Sequence, residues 1–395
     1  MGSRVSVCLN RLAIVLYVLF RGIVTKALWK GNGQAKDIVV FFPQQIGDII
    51  LYANTLNALA ENCSCQGVRC VKVLGNRAVL RFMTETICMH ERVLPIEVDM
   101  KRLLADFGYF REILHAHCGD CCLFTVSESS VTAELFGAAV RAGRKIGILT
   151  VTPRQRPKGS RWLEWLSYTE RIRPKRTDMA FQRHIDFLHG LGLTECRAYL
   201  PVLKPTDSPL QGRYCVIAPG ASFKEKAWPL DRFVSIMDDI VERYDLEICL
   251  CGSPEDAEAG QYLAGQARHG ERIRNYIGKT DFRGWTGLIA HAELFVGNDS
   301  ASAHIATVSR VRTVCILGMY HAAQFFPYQL DDGQETDWCI AVKHDVPCAD
   351  CRSIGRRAGF GNPICMAHIR NGRSADCVED ISVEDVQAAI ARLMI

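Results

Sequence analysis

Short apolar runs alternate with longer stretches of helical periodicity along most of the chain. Five runs in the first half have the length of buried strands and are separated by helical stretches: 38–42, 70–74, 93–98, 121–126 and 145–149. The alternation restarts at 214–218 and continues through 313–317. Strands and helices that alternate through short loops are typical of a parallel sheet with helices on both faces. The pattern therefore predicts an α/β protein with two such series.

A segment of linker composition separates the two series. Residues 203–212 contain two prolines, a glycine and several short polar residues. We therefore predict an N-terminal segment at 1–36, a Rossmann-like domain at 37–204 and a second at 205–395. In open α/β sheets, ligands bind at the carboxyl ends of the strands. The two domains are accordingly predicted to face each other across a central cleft that holds the substrates.

Residues 1–36 have a basic and amphipathic pattern. They carry six basic residues and no acid, and nine apolar residues lie between Arg11 and Arg21. No small-x-small cleavage site follows, which argues against a signal peptide. On a helical wheel five of the basic residues fall within about half of the circumference, and these are Arg4, Arg11, Arg21, Lys26 and Lys30. The pattern predicts a helix at a membrane interface, with snorkelling basic side chains and Trp29 at headgroup level. The alternative is a helix packed on the first domain.

Composition and charge limit the classes of protein to which this chain can belong. Hydrophobic residues make up 48% and charged residues 23%, which is typical of a globular chain, and no apolar stretch is long enough to span a bilayer. Residues 141–176 hold eleven basic residues and two acids, with Trp162 and Trp165 among them. A second basic patch indicates an anionic partner or substrate. Many of the 18 cysteines lie in apolar runs, which favours buried thiols in a reducing compartment.

Several common ligand motifs are missing from the sequence. Neither series has Gly-x-Gly-x-x-Gly after its first strand, and no phosphate-binding Gly-x-x-x-x-Gly-Lys-Ser/Thr occurs. No two aspartates are separated by a single residue, so a metal-bridging Asp-x-Asp is also missing. An anionic ligand is therefore expected to meet backbone amides and lysine.

Four loop motifs contain the residues that are candidates for catalysis or ligand binding. Asp48, after the first strand, is either a helix cap or a general base. In residues 218–229, the Ser222 hydroxyl and free backbone amides are able to contact a phosphate. Lys226 or Lys224 would supply the positive charge. The acids of 252–256 either accept ribose hydroxyls or complement a helix dipole. In 297–304, small residues leave helix amides open, while His304 is either ligand-facing or a core histidine.

The order and spacing of these motifs resemble the heptosyltransferase-like glycosyltransferases of family 9. The matching segments are Ile46-Gly-Asp48, Pro219-Gly-Ala-Ser-x-x-x-Lys226-x-Trp-Pro229, Gly252-Ser-Pro-Glu255, Ile277-Gly-Lys-Thr280, Asn298-Asp-Ser300 with His304, and Leu317-Gly318 followed by Phe326-Pro327. The resemblance implies a GT-B fold of two Rossmann-like domains. Three departures bear on the substrates. Ala301 stands where the family usually has glycine, and Pro43-Gln-Gln45 replaces the basic residue that often precedes Ile-Gly-Asp. The proline that usually follows the first helix turn is absent at Ala53-Asn54.

The resemblance also implies roles for single residues. Asp48 would be the catalytic base, and Lys226 would neutralise the donor diphosphate, with Gly220 and Ser222 beside the phosphates. Glu255 would lie near the nucleoside ribose. The positions implied around the diphosphate and sugar are Asp299, Ser300 and His304.

The implied activity is inverting, metal-independent transfer of a sugar, heptose foremost, from a nucleotide-diphosphate donor such as an ADP-sugar. The acceptor would be a lipopolysaccharide-core or other lipid-linked saccharide. No cofactor and no nucleic-acid partner are expected, and the enzyme would be cytoplasmic and peripherally attached to the inner membrane. The alternatives are a sugar-nucleotide epimerase of the same fold, or a non-catalytic glycan- or lipid-binding protein.

The C-terminal cysteines form a last candidate site. A CxxC pair is followed by two later thiols, and the set is Cys348, Cys351, Cys365 and Cys377. Four thiols are able to bind one structural zinc ion tetrahedrally. A disulfide staple and free thiols are the alternatives.

Overall fold

The computed structural model divides the chain into two compact units. One comprises Met1–Thr84 and Cys88–Ala198, and the other Glu85–Ile87 and Tyr199–Ile395. The structure describes residues 2–28, 37–62, 69–117, 121–124, 131–148, 161–172, 179–222, 226–319, 325–330, 336–344, 346 and 376–395. Each unit contains one six-stranded parallel sheet with helices, which confirms the predicted α/β class.

The first unit is built on the strands β1 (Asp37–Phe42), β2 (Cys70–Gly75), β3 (Val93–Glu97), β4 (Cys121–Phe124), β5 (Arg144–Ile148) and β6 (Glu170–Ile172). Their order in the sheet is β3-β2-β1-β4-β5-β6. All six residues of β1 are buried, and five of them, 38–42, form the unbroken apolar run that is typical of a central parallel strand. Because β1 lies between β2 and β4, its carboxyl end is the point where the strand order reverses, and ligands bind at such points.

The helices of this unit are α1 (Gly2–Leu28), α2 (Ile46–Asn62), α3 (Arg77–Thr86), α4 (Met100–Leu103), α5 (Phe107–Ala116), α6 (Val131–Ala139), α7 (Arg161–Ser167) and α8 (Ala180–Gly190). Of the basic patch at 141–176, the structure describes residues 141–148 and 161–172. Within it the structure has α7 and the strand β6, which the apolar pattern did not predict.

Helix α1 packs on the first unit against α5, α6 and α7. Ile14 and Val18 are buried in the same core cluster as the helices beside them. Arg21, predicted to snorkel towards lipid, is buried instead, and its Nε donates to the carbonyl of Ala139 at 2.7 Å. Ala139 is the last residue of α6, where unpaired carbonyls favour a positive charge. The prediction that Arg21 snorkels towards lipid is wrong for that reason. On this face, α1 is packed on the first domain, as the alternative interpretation had it.

The second unit has the strands β7 (Tyr214–Ala218), β8 (Glu247–Leu250), β9 (Ile273–Asn275), β10 (Leu294–Asn298), β11 (Arg312–Ile316) and β12 (Cys339–Val342). Their order is β12-β11-β10-β7-β8-β9, so β7 lies between β8 and β10 and the order reverses there. The helices between them are α9 (Leu230–Tyr244), α10 (Ala257–Gln266), α11 (Phe282–Ala290) and α12 (Ala301–Val308). A C-terminal helix, Val383–Leu393, packs on α9, β11 and β12.

We predict that Ile14→Ala lowers the free energy of unfolding by about 2–5 kcal/mol, because it removes a side chain that is 1% exposed and leaves a cavity. The matched control is Leu16→Ala on the same helix, which is 58% exposed and is expected to change stability by no more than about 0.5 kcal/mol. Urea unfolding followed by fluorescence measures both. Equal effects of the two substitutions would show that α1 does not pack as described.

Candidate functional site

Four loops of the second unit meet at one edge of its sheet. They follow β10, β7, β8 and β9, which are neighbours in that order, and the strands are parallel. Carboxyl ends of parallel neighbours lie side by side, so the motifs predicted in 219–226, 252–256, 277–280 and 298–300 are gathered together. The reversal between β7 and β10 lies in the middle of this edge.

Asn298 joins the loop after β7 to the end of β10. Its side chain is fully buried, its Oδ1 accepts from the backbone N–H of Trp228 at 3.1 Å, and its Nδ2 donates to the carbonyl of Pro219 at 2.7 Å. The two ends of the loop are thereby held to one side chain. The motif that contains Asn298 did not by itself predict this role. The available signal was the position of Asn298 at a strand end, directly before Asp299.

Lys226 and Asp299 form a buried ion pair at the same edge. The Lys226 Nζ lies 3.1 Å from the Asp299 Oδ2, and the two side chains are 9% and 5% exposed. Both residues were predicted to bind the donor from separate motifs, and the fold brings them together. Removal of one partner would leave the other charged and buried, so the two positions depend on each other.

Ser300 directly precedes α12, at the N-cap position, but its side chain does not cap the helix. Its backbone is extended and its side chain makes no cap hydrogen bond. The Oγ is buried and has no hydrogen-bond partner among the described residues. A serine at this position usually accepts from a backbone amide of the first turn. The Ser300 hydroxyl and the backbone amides at the N-terminus of α12 are hydrogen-bond donors suited to an anionic ligand.

His304 is held in an aromatic cluster. It is 4% exposed, it shares a hydrogen bond through Nδ1 with the Tyr328 hydroxyl, and its ring stacks on Phe326 at 4.6 Å. Burial raises the pKa of Tyr328 well above its usual value, so the hydroxyl stays protonated. Of the two interpretations of His304, these contacts favour the core histidine. They also explain why the Phe326-Pro327 motif accompanies it.

The loops after β7 and β8 approach each other at glycines. A Cβ on Gly220 would lie 2.5 Å from the Asp256 Oδ2, and one on Gly252 would lie 2.8 Å from the same atom. Asp256 accepts from both the backbone N–H and the hydroxyl of Ser253, each at 2.8 Å. Glu255 was the predicted acid of this loop and Asp256 was missed, because only the fold shows which of the two turns inward.

Glu255 and Ser222 are the exposed members of the predicted donor set. The pKa of Glu255 is lowered by a hydrogen bond from its own backbone N–H and by the Ser253 hydroxyl, which keeps the carboxylate charged at neutral pH. Both remain reachable by a ligand. Lys224, the alternative to Lys226, lies outside the described residues.

Asp48 lies at the corresponding edge of the first unit. It is the third residue of α2, after β1, and its Oδ2 accepts from the backbone N–H of Gln45 at 3.0 Å. This hydrogen bond is one half of a capping box. Asp48 therefore caps the helix from its third residue and not from the residue before the helix. Asp48 is half-buried.

One turn later on α2, Tyr52 is buried and its ring meets the ring of His184 edge-on at 4.8 Å. Burial lowers the pKa of His184 to about 3, so this contact stays neutral. The helix that carries Asp48 is therefore anchored close to its start by an uncharged aromatic contact with α8.

The predicted zinc site lies mostly outside the described residues. Of its four cysteines only Cys377 is described, and it is buried in the apolar core of the second unit. In the part of the chain that the structure describes, no three His, Cys, Asp or Glu side chains are grouped to hold a metal ion. The zinc interpretation stays a prediction.

Comparison with known proteins agrees with this fold and these motifs. The model of glycosyltransferase family 9 (heptosyltransferase) matches residues 158–346, a little under half of the chain. The chain is 27% identical over 134 residues to lipooligosaccharide heptosyltransferase 2 of Campylobacter jejuni, and this match covers 34% of the chain and 40% of that protein. The resemblance to family 9 inferred from the motifs is confirmed, while the alignment spans well under two thirds of the curated relatives' length.

Two solved structures extend the likeness in fold over most of the chain. A family 9 glycosyltransferase from Veillonella parvula has a TM-score of 0.63 and 18% identity, covering 91% of this chain and 97% of its own. The ADP-heptose lipopolysaccharide heptosyltransferase II of Escherichia coli has a TM-score of 0.61 and 16% identity, covering 91% and 98%. They confirm the predicted GT-B class of fold.

We predict that Lys226→Met and Asp299→Leu each destabilise the protein by about 3–5 kcal/mol, because each removes the ion-pair partner of a buried charge. The double variant is expected to lose much less than the sum of the two, since it removes both charges at once. Urea unfolding of the four proteins measures the coupling. Additive losses would mean that the two groups do not interact as the 3.1 Å contact indicates.

Proposed function

We propose that this protein is an inverting glycosyltransferase that moves heptose from ADP-heptose to a lipopolysaccharide-core or other lipid-linked saccharide. The observation that carries the proposal is the arrangement after β10: the Lys226–Asp299 pair next to Ser300, whose buried hydroxyl lacks a partner among the described residues. The similarity to heptosyltransferases supports the choice of donor and acceptor.

The proposed donor site binds the diphosphate through backbone amides and a lysine. The N-terminus of α12 carries partial positive charge, and Lys226 adds a fixed ammonium group beside it. Negative charge grows on the diphosphate as the bond to the sugar breaks. Groups that are already oriented stabilise this charge without reorganising during the reaction. We therefore propose that the leaving ADP is stabilised by protein groups and that no metal or cofactor is required.

Asp48 is the proposed general base. Its carboxylate would take the proton of the acceptor hydroxyl while that oxygen forms a bond to the anomeric carbon. The bond from the anomeric carbon to the diphosphate oxygen breaks on the opposite side, and ADP leaves with inversion at that carbon. The Gln45 amide holds one carboxylate oxygen, which orients the group at the start of α2. Capping and base roles are compatible, because a carboxylate has two oxygens.

The acceptor proposal places the enzyme at the cytoplasmic face of the inner membrane, attached peripherally. Among the described residues no helix is long and apolar enough to cross a membrane. The alternative of a sugar-nucleotide epimerase predicts conversion of the donor without an acceptor. A non-catalytic glycan- or lipid-binding protein predicts that no ADP is released when donor and acceptor are both present.

The direct test incubates the protein with ADP-heptose and a heptose-deficient lipopolysaccharide, with and without EDTA, and measures ADP release and product mass. We expect release that depends on the acceptor and is unchanged by the chelator. Thermal-shift measurements with ADP, UDP and GDP identify the base, since only a ligand of the folded protein raises its melting temperature. Donor conversion without acceptor would favour the epimerase.

We predict that Asp48→Asn lowers the transfer rate by about 10²–10⁴-fold and leaves ADP binding unchanged. The amide oxygen of asparagine is still able to accept from Gln45, so the cap is retained while the base is lost. The matched control is Asp106→Asn, since Asp106 caps α5 and has no proposed role in catalysis. Transfer by Asp48→Asn at the rate of the control would refute the base assignment.

We predict that Ser300→Ala weakens ADP binding by about ten-fold, the loss of one hydrogen bond to a charged group. Stability should change little, because the hydroxyl makes no bond among the described residues. Ser309→Ala is the matched control: its hydroxyl is also buried without a partner there, but at the other end of α12. Calorimetric titration with ADP compares the two. Equal ADP affinity in both variants would exclude Ser300 from the donor site.

A further inference from the structure

Helix α1 has a second apolar face, which the first unit does not cover. Its large side chains are between 56% and 70% exposed and belong to Leu9, Leu12, Leu16, Phe20 and Ile23. We call these five residues the apolar stripe. Their spacing is three or four residues, so at about 100° per residue they fall within an arc of roughly 80°.

The apolar stripe lies opposite the face that packs on the domain. Ile14 and Val18, which are almost completely buried, lie about half a turn away from Leu16 and Phe20 on the helical wheel. The first unit therefore anchors α1 by one side and presents the other side outward. A continuous row of five exposed large apolar side chains marks an interaction surface, whereas single exposed ones are ordinary.

The charges of the segment favour an anionic occupant. The 27 residues of α1 contain basic residues and no acid. Arg11 is exposed on the helix, and the exposed Arg111 of α5 lies over the ring of Tyr17, with 6.0 Å between its guanidinium carbon and the ring centroid. Arginines therefore flank the helix on the sides away from the apolar stripe. This distribution is typical of a helix that lies in the plane of a bilayer interface.

We propose that the apolar stripe docks α1 in the plane of an anionic lipid bilayer, with the first unit on its water-facing side. The proposal deepens the proposed function and rests on its lipid-linked acceptor, since docking would keep the enzyme at the surface that holds that acceptor. The helix is not able to span the bilayer, and only one of its sides is available to lipid.

The test uses the full chain with point substitutions, because deletion of α1 would also remove Ile14 and Val18 from the core. The stripe variant is Leu16→Gln with Phe20→Gln. The control variant is Leu94→Gln with Val202→Gln, two exposed apolar residues elsewhere on the surface. Circular dichroism and urea unfolding verify that both variants fold. Binding is measured by co-sedimentation with vesicles of phosphatidylglycerol and phosphatidylcholine, and with phosphatidylcholine alone, at low and high salt.

We expect the stripe variant to lose about 100-fold in vesicle partitioning, roughly ten-fold for each large apolar side chain. The control variant should bind as the wild type does. Part of the wild-type binding should persist at high salt, because only the charge contribution is screened. Vesicle binding of the stripe variant equal to that of the control would overturn the proposal.

Two further outcomes separate this proposal from its rivals. If the stripe variant changes the molecular mass measured by light scattering and leaves vesicle binding intact, the stripe joins two copies of this chain and the membrane proposal fails. Asp48→Asn should bind vesicles as well as the wild type, since Asp48 has no part in docking. A wild type that binds vesicles but transfers no sugar would defeat the proposed function while supporting the docking surface.

Discussion

The side chain of Asn298 is the constraint on which the candidate donor site depends. A buried amide must satisfy both its donor and its acceptor, and here the partners are two points of the loop that follows β7. That loop carries Gly220 and Lys226, so the positions of both follow from a hydrogen-bonding requirement at the end of β10. Asp299, the next residue, then meets Lys226. The order of strands makes this possible, because β7 and β10 are neighbours although 75 residues of chain lie between Ala218 and Leu294.

Much of the fold could be predicted from the sequence, since buried parallel strands are unbroken apolar runs and the loops between them carry the motifs. The strands β6 and β12 were missed, because they are short sheet-edge strands with mixed burial. The hydrophobic pattern carries no information about contacts between residues that are far apart in the sequence. Helical periodicity placed Arg21 among the basic residues of α1 but gave no sign that the end of α6 would receive its guanidinium group. The inward turn of Asp256, rather than Glu255, depends in the same way on Gly220, which lies in another loop.

The substitution of alanine for the family's glycine at 301 is explained by the local backbone. Ala301 is the first residue of α12, and it is not among the described residues that have positive φ. A helical conformation favours alanine over glycine, so this departure stabilises the helix start. The amides of that first turn are backbone groups and keep their direction. The departure therefore leaves the backbone direction at the proposed anion-binding end of α12 unchanged.

The nine apolar residues between Arg11 and Arg21 are explained by a helix with two apolar faces. A one-sided surface helix would show polar residues at every second or third position of this run, and a membrane-spanning helix would need about twice its length. In the structure Ile14 and Val18 pack inward while Leu12, Leu16 and Phe20 point outward. Arg21 ends the run and is bound to α6, which fixes the rotation of the helix on the domain. Because the rotation is fixed by the core, the outward face is a permanent feature of the folded unit, presented whether or not a partner is present.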